Sequence, residues 1–472
     1  MSNPVQPFSD SLFAAVPRQL PSLDPGFRPL SVGVRAFRRE LARQPRREVL
    51  RLALEQGPEA VSRMDLELFP DGAGREADNL RYAGWVLHFL LWSRGGRRVW
   101  MQGPAGLCAA LAAQYGPDGT HAFAARIMAQ AYAGPFQVRI VADPAELPGA
   151  RLQALALGGH RDGCRIGFDL GASDYKVAAV QDGTTVFSAE LPWDPRGQAD
   201  PAYHYAQIDE GLRLAAGHLP RVDAIGGSSA GILVDNRIRV GSLFRSVPAE
   251  AFATQVETLF ERLHQAWGVP LEVRNDGEVT ALAGSLSLGL TGILGLAMGS
   301  SEAAGFLDRG GHMTGWLDEL AFAPMDASTD GASDDWSGGI GIGGGYFSQQ
   351  GVDRLARLAQ LRFAPGLGLP ERLKVVQQRV ELGDPAARAI FESIGVHLGY
   401  ALPWYAEFYD FDHLMILGRV TSGAGGETIL ARAREVLEQE FPELAGRIAI
   451  FLPDERSRRV GQAAAAASLP AL

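Results

Sequence analysis

Three short stretches carry residue types that could handle a phosphate or a hydroxyl. The first runs Arg165-Ile-Gly-Phe-Asp-Leu-Gly-Ala-Ser-Asp-Tyr-Lys-Val-Ala-Ala-Val180. Asp169 precedes a turn through Gly171, Ala172 and Ser173, and Lys176 follows on the next apolar run. Asp182-Gly183 is a two-residue hairpin signal leading into residues 184–191. A carboxylate beside backbone N–H groups at a small-residue turn suits a phosphate and its metal ion. A plain antiparallel meander with a glycine turn accounts for the same residues equally well. The second stretch, Leu271-Glu-Val-Arg-Asn-Asp276, reads as a strand ending on two polar residues. The third, residues 292–308, repeats the first: strand, small-residue turn at Gly299, Ser300 and Ser301, strand. Two β-units of one kind, each followed by helices and strands, predict a duplicated α/β fold with a ligand cleft between its halves.

Composition narrows the classes. The chain has 472 residues, 46% apolar and 21% charged, which is ordinary for a globular protein with two to four domains. Net charge is -10, which argues against a nucleic-acid partner. Two cysteines, Cys108 and Cys164, are too few for a disulfide framework or a four-thiolate zinc site, and fit a reducing, cytoplasmic setting. No basic start followed by an apolar run marks a signal peptide, and residues 85–92, the longest apolar run, are too few to span a membrane. Lys176 is one of only two lysines, the other being Lys374.

The elements that must position these residues fall into three parts. Residues 1–160 read as a mixed α/β extension with its linker. It has a proline-rich lead-in over 1–30, a helix over 34–56 broken at Pro45, helices over 79–93, 105–115 and 121–132, and strands over 98–101 and 136–141. Residues 55–68 give no clean helix-turn-helix, a further argument against DNA binding. Residues 164–290 form the first lobe, with helices over 203–218, 248–267 and 278–288 and a buried strand over 222–231. Residues 291–472 form the second, with a helix over 391–409 kinked at Pro403, strands over 413–417 and 447–452, and helices over 427–440 and 457–467.

Taken together, residues 166–176, 273–276, 296–305 and 414–423, in that order, resemble the actin-like (ribonuclease H-like) two-lobed ATPase superfamily. Within it they resemble the ROK (repressor, open reading frame, kinase) sugar kinases. The resemblance covers residues 164–470. It implies ATP and Mg²⁺ as cofactors, a small sugar as substrate and a homodimer. Asp276 would be the general base that takes the sugar hydroxyl proton, and Asn275 would bind neighbouring hydroxyls; helix capping competes as a role for either residue. Asp169 would orient Mg²⁺ through water, with Gly171, Ser173 and Lys176 near the phosphates. Gly299, Ser300 and Ser301 would offer N–H groups, and Gly418 and Gly423 would let adenosine approach the backbone. Glu319 aligns with the family's sugar-binding glutamate, a surface helix-end acid being the plain alternative. Ser228, Ser229 and Arg245 would complete the pocket.

The departures point the other way. Phe322 stands where the family has a zinc-ligating histidine, and the cysteine-rich run that should follow is replaced by a Gly/Ser/Asp loop over 330–345, so no structural zinc is expected. Ser301 and Ala303 replace glycines of the second phosphate turn, and Glu302 brings a negative charge there. The expectation is an ATP-dependent carbohydrate kinase. The alternative is a non-catalytic, sugar- or nucleotide-sensing relative.

Overall fold

The computed structural model describes residues 8–152, 155, 157–172, 174–453 and 455–472. Helix α1 (Leu30–Leu41) ends before Pro45, and the expected helix over 34–56 does not continue. Glu48–Gly57 is strand β1, antiparallel both to β2 (Ala60–Leu68) and to β3 (Arg98–Gln102). Leu50, Leu52 and Leu54 are buried at every second position. The stretch is rich in good helix formers, but pairing on both edges overrides that preference. Three helices, α2 (Glu76–Arg94), α3 (Ala105–Gln114) and α4 (Ala122–Ala131), and strand β4 (Gln137–Ile140) complete this unit. Its sheet has the order β2-β1-β3-β4.

The first half of the duplicated part comprises β5 (Cys164–Leu170), β6 (Asp174–Gln181), β7 (Thr184–Pro192), α5 (Pro201–Ala216), β8 (Ala224–Ser229), β9 (Ile232–Val234), β10 (Arg237–Val240), α6 (Ala249–Ala251), α7 (Leu259–Trp267), β11 (Leu271–Asn275) and α8 (Asp276–Leu288). The helix expected over 248–267 is interrupted by a wide turn at Phe252–Val256. Its sheet order is β11-β8-β5-β6-β7, the β5–β6–β7 meander antiparallel and β8 and β11 parallel to β5.

The second half holds β12 (Ile293–Met298), β13 (Glu302–Leu307), α9 (Gln349–Leu358), α10 (Leu369–Glu381), α11 (Pro385–Tyr405), β14 (His413–Leu417), α12 (Ala424–Glu440), α13 (Pro442–Ala445), β15 (Ala449–Phe451) and α14 (Glu455–Ala467). Its order, β13-β12-β14-β15, repeats the first sheet without the third meander strand. An antiparallel hairpin flanked by parallel strands thus occurs twice, which is the predicted duplicated α/β architecture.

Two packing arrangements cross these sequence boundaries. Helix α14 returns to the first half and lies on β5, β6, β8 and α8, so residues 455–467 do not pack as part of the second lobe in which the sequence placed them. Gly167 and Gly226 allow this contact: a Cβ on either would fall on the carbonyl of Ala463 or Ala466. The N-terminal unit, in turn, shares one continuous apolar core with the second half, from Phe13, Phe27 and Phe37 through to Tyr400 and Phe441. Polar ties fasten it there. Arg35 pairs with the buried Glu440 at 2.7 Å, Arg354 with Asp24 at 2.9 Å, and the Arg28 N–H donates to Asp326 at 2.9 Å.

Candidate active site

Parallel pairing of β11 with β8 and β5 brings the ends of three strands together, and the chemistry-bearing residues sit at those ends. Asn275 caps α8: its Oδ1 accepts the Gly277 N–H at 2.8 Å, and its Nδ2 donates to the Gly231 carbonyl at 2.8 Å. The side chain expected to read sugar hydroxyls is therefore occupied in tying β11 to the turn after β8. Asp276 follows as the first helical residue, with Oδ1 accepting the Gly277 N–H at 3.0 Å. Burial, and then the charge of Asp169, push its carboxyl up to about 6. Asp169 itself is raised by burial and drawn back by Lys176, whose Nζ lies 3.7 Å from Oδ2 across the β5–β6 pair. Gln462 of α14 donates to Ser228 Oγ at 2.9 Å and to the Asp276 carbonyl at 3.1 Å, a brace that nothing in its alanine-rich surroundings signals.

Glu319 approaches from the second half. Its N–H donates to the Trp92 carbonyl and that of Asp318 to the Ser93 carbonyl, both at 3.0 Å, so the last turn of α2 holds this segment. Burial, then Asp276 and Asp318, raise the Glu319 carboxyl to about 8. Glu302 is also raised to about 8, by burial and then by Glu319. Both its oxygens are buried without a hydrogen-bond partner, and one lies where a Cβ on Gly343 would fall. Its side chain is therefore turned inward, and burial favours its neutral form.

A cleft of ≈ 590 Å³ is lined by Asn275, Asp276, Gly299, Ser300, Ser301, Glu319 and Arg245. Arg196, Trp336 and Phe322 join them in the lining. Sequence reasoning missed Arg196 and Trp336. The signal for Trp336 was a lone large aromatic in a Gly/Ser/Asp loop; it is 60% exposed and packs edge-on to Phe322 at 5.4 Å and to Phe123 of α4 at 5.2 Å.

Of the other expected site residues, Asp169, Gly171, Lys176, Ser228, Ser229, Gly418 and Gly423 lie outside this lining. Ser229 is fully buried, its hydroxyl 3.4 Å from the Ala230 carbonyl. Gly171 closes its own turn, its N–H donating to the Asp174 carbonyl at 3.0 Å, and Gly299 does the same to Ser301 at 2.9 Å, which leaves neither N–H free for a phosphate. Ser300 and Ser301 are exposed. Gly418 has φ 98°, and a Cβ there would stand 2.5 Å from the Met298 carbonyl, so its missing side chain makes room for β12. Gly423, at φ 65°, opens α12. Ser173 lies outside the described residues.

A magnesium ion held mainly by water and phosphate needs only one or two carboxylates, and Asp169 would be the one to orient it through water. Among the described residues no group of three or more His, Cys, Asp or Glu side chains is placed to hold a metal. No helix among them is long and apolar enough to cross a membrane.

No family model and no curated protein matches the sequence. Solved structures do match in fold. A ROK family transcriptional regulator, a homologue of the E. coli MLC protein, aligns over 65% of this chain and 77% of its own at 17% identity and a TM-score of 0.50. A ROK family protein from Streptococcus pneumoniae in complex with sucrose aligns over 64% and 96% at 13% identity and 0.50. A ROK family glucokinase from Streptomyces griseus in complex with glucose and AMPPNP aligns over 64% and 98% at 18% identity and 0.48. The chain has a mixed α/β, actin-like fold of the ROK type, in divergent form.

Proposed function

We propose that the protein is an ATP- and Mg²⁺-dependent kinase of a sugar or sugar-derivative hydroxyl, with Asp276 as general base. The observation that carries this reading is the Asp276 carboxyl. It stands at about 6 in a cleft lined from both halves, where it is ionised at neutral pH yet basic enough to accept a hydroxyl proton. Glu319 and Arg245 would hold the sugar. Asp169 and Lys176 would hold the metal and phosphates, and ATP supplies the phosphoryl group when bound. Exclusion of water as the halves close would keep the sugar hydroxyl as acceptor. Two buried free cysteines fit a cytoplasmic location.

The test is ATP turnover across a panel of hexoses, amino sugars and sugar acids, with Asp276→Asn as control. Turnover with one sugar, lost in the variant, supports the reading; no turnover with any sugar sinks it. A second reading, sugar sensing without turnover, is favoured by the closed N–H groups of Gly171 and Gly299 and by the capped Asn275. Calorimetry separates the two: sugar binding without MgATP binding selects the sensor.

A further inference from the structure

A second cavity, of ≈ 350 Å³, lies where the N-terminal unit meets both halves. Its walls are the β1–β2 turn, the end of α4, the β9–β10 hairpin, Arg274 of β11 and residues 314–317. Three of these walls also belong to the cleft, on their other side. Ile232 and Val240 of the hairpin line the cleft, whereas Leu233 and Arg239 line the cavity. Arg274 faces the cavity, and Asn275 and Asp276 the cleft. Thr314 to Leu317 lead directly to Glu319.

The chemistry of the lining is donor-rich. Three arginines, Arg151, Arg239 and Arg274, face two acids, Glu59 and Asp235. Arg239 pairs with Glu257 at 3.1 Å and Arg274 with Glu272 at 2.8 Å, which holds both guanidinium planes in place. The Nε atoms of Arg239 and Arg274 and the Thr314 hydroxyl are nevertheless buried without a hydrogen-bond partner. Each guanidinium carries five N–H donors, so the pairs with Glu257 and Glu272 leave others on Arg239 and Arg274 to face the cavity. Planar guanidinium groups suit carboxylate and phosphate oxygens.

We propose that this cavity binds a small oxyanion-bearing metabolite, with the phosphate or carboxylate group as the recognised feature. Occupancy would fix the hairpin and the 314–319 segment, which are also walls of the cleft, so the site is placed to act as an effector site. It does not depend on the reaction proposed above.

The experiment uses the full chain and inorganic phosphate, with malonate as the carboxylate probe, against sodium chloride at matched ionic strength. Calorimetry should show saturable binding of one probe or both, weakened roughly tenfold, about 1.4 kcal/mol, by Arg239→Gln and by Thr314→Val. Thr314→Val keeps the side-chain volume, so it remains informative should loss of the Arg239–Glu257 pair unfold the protein. Hydrogen exchange should slow in the β9–β10 hairpin when the probe is added. Absence of saturable binding overturns the proposal. So does binding that Lys176→Gln weakens and Thr314→Val leaves intact, with slowed exchange at residues 171–176, because that places the anion at the phosphate turn.

Discussion

Four carboxyls in and beside the cleft carry most of its pH behaviour. Asp276 must be ionised to accept a proton, so kcat/KM is expected to rise with pH through about 6 and level off above it, measured as a pH profile with the best sugar. Asp276→Asn should lower turnover roughly 10²- to 10⁴-fold. Glu302, Glu319 and Asp318 stand at about 8, against 4.5 and 3.8 for the free side chains. The folded state therefore binds more protons than the unfolded chain between those values. Stability falls as pH rises across that window, by at most about 1.4 kcal/mol per pH unit for each retained proton. Glu302→Gln should make the fall between pH 6 and 9 shallower, measured by thermal unfolding at a series of pH values; an unchanged slope would mean that Glu302 is not the group retaining its proton. Asp276 and Glu319 were legible as residues from their places after a strand and in a family-like run. The capping role of Asn275 was legible too, but its tie to the Gly231 carbonyl and the inward turn of Glu302 were not, because both depend on backbone and side chains brought from far along the chain.

At the scale of elements, close backbone contact sets the glycine pattern. Helix α14 rests on Gly167 and Gly226, and α8 meets β13 at Gly277 and Gly305, where a Cβ would strike backbone. Gly226→Ala is expected to destabilise the protein by at least 1–3 kcal/mol, the usual cost of overpacking, read from denaturant unfolding. Gly446→Ala meets nothing within 4 Å and serves as the neutral control. Most strands and helices of the duplicated part were legible because local periodicity agreed with the fold; residues 413–417, read as a strand, form β14 over those same residues. Elsewhere periodicity and tertiary pairing disagreed. Residues 48–57 have a helix-forming composition but complete a sheet, and the β9–β10 hairpin turns through Asp235 and Asn236, both at positive φ, with no glycine to mark it.

For the whole molecule, the N-terminal unit supports the second half directly. Phe13, Phe27, Leu30 and Phe37 are fully buried in the shared core, each worth roughly 2 kcal/mol of burial. Deleting residues 1–42 should abolish cooperative unfolding of the remainder, checked by scanning calorimetry; a truncated protein melting within a few degrees of the full chain would show this segment to be dispensable. The same unit holds Glu319 through the carbonyls of α2, so a longer deletion that also removes α2 should cost sugar affinity in any truncated protein that still folds. The sequence marked residues 1–160 as a separate extension because their composition and punctuation differ; packing across the boundary leaves no such trace.

Helix α14 also bears on how the chain is made. The sheet of β5, β6 and β8 is finished when residue 275 has emerged, yet the helix that covers one of its faces is made only with residues 455–467. At ordinary rates of synthesis that interval lasts on the order of tens of seconds. During it an apolar strand surface waits uncovered, which makes the ribosome-bound chain a client for chaperones and leaves prematurely terminated products prone to aggregation.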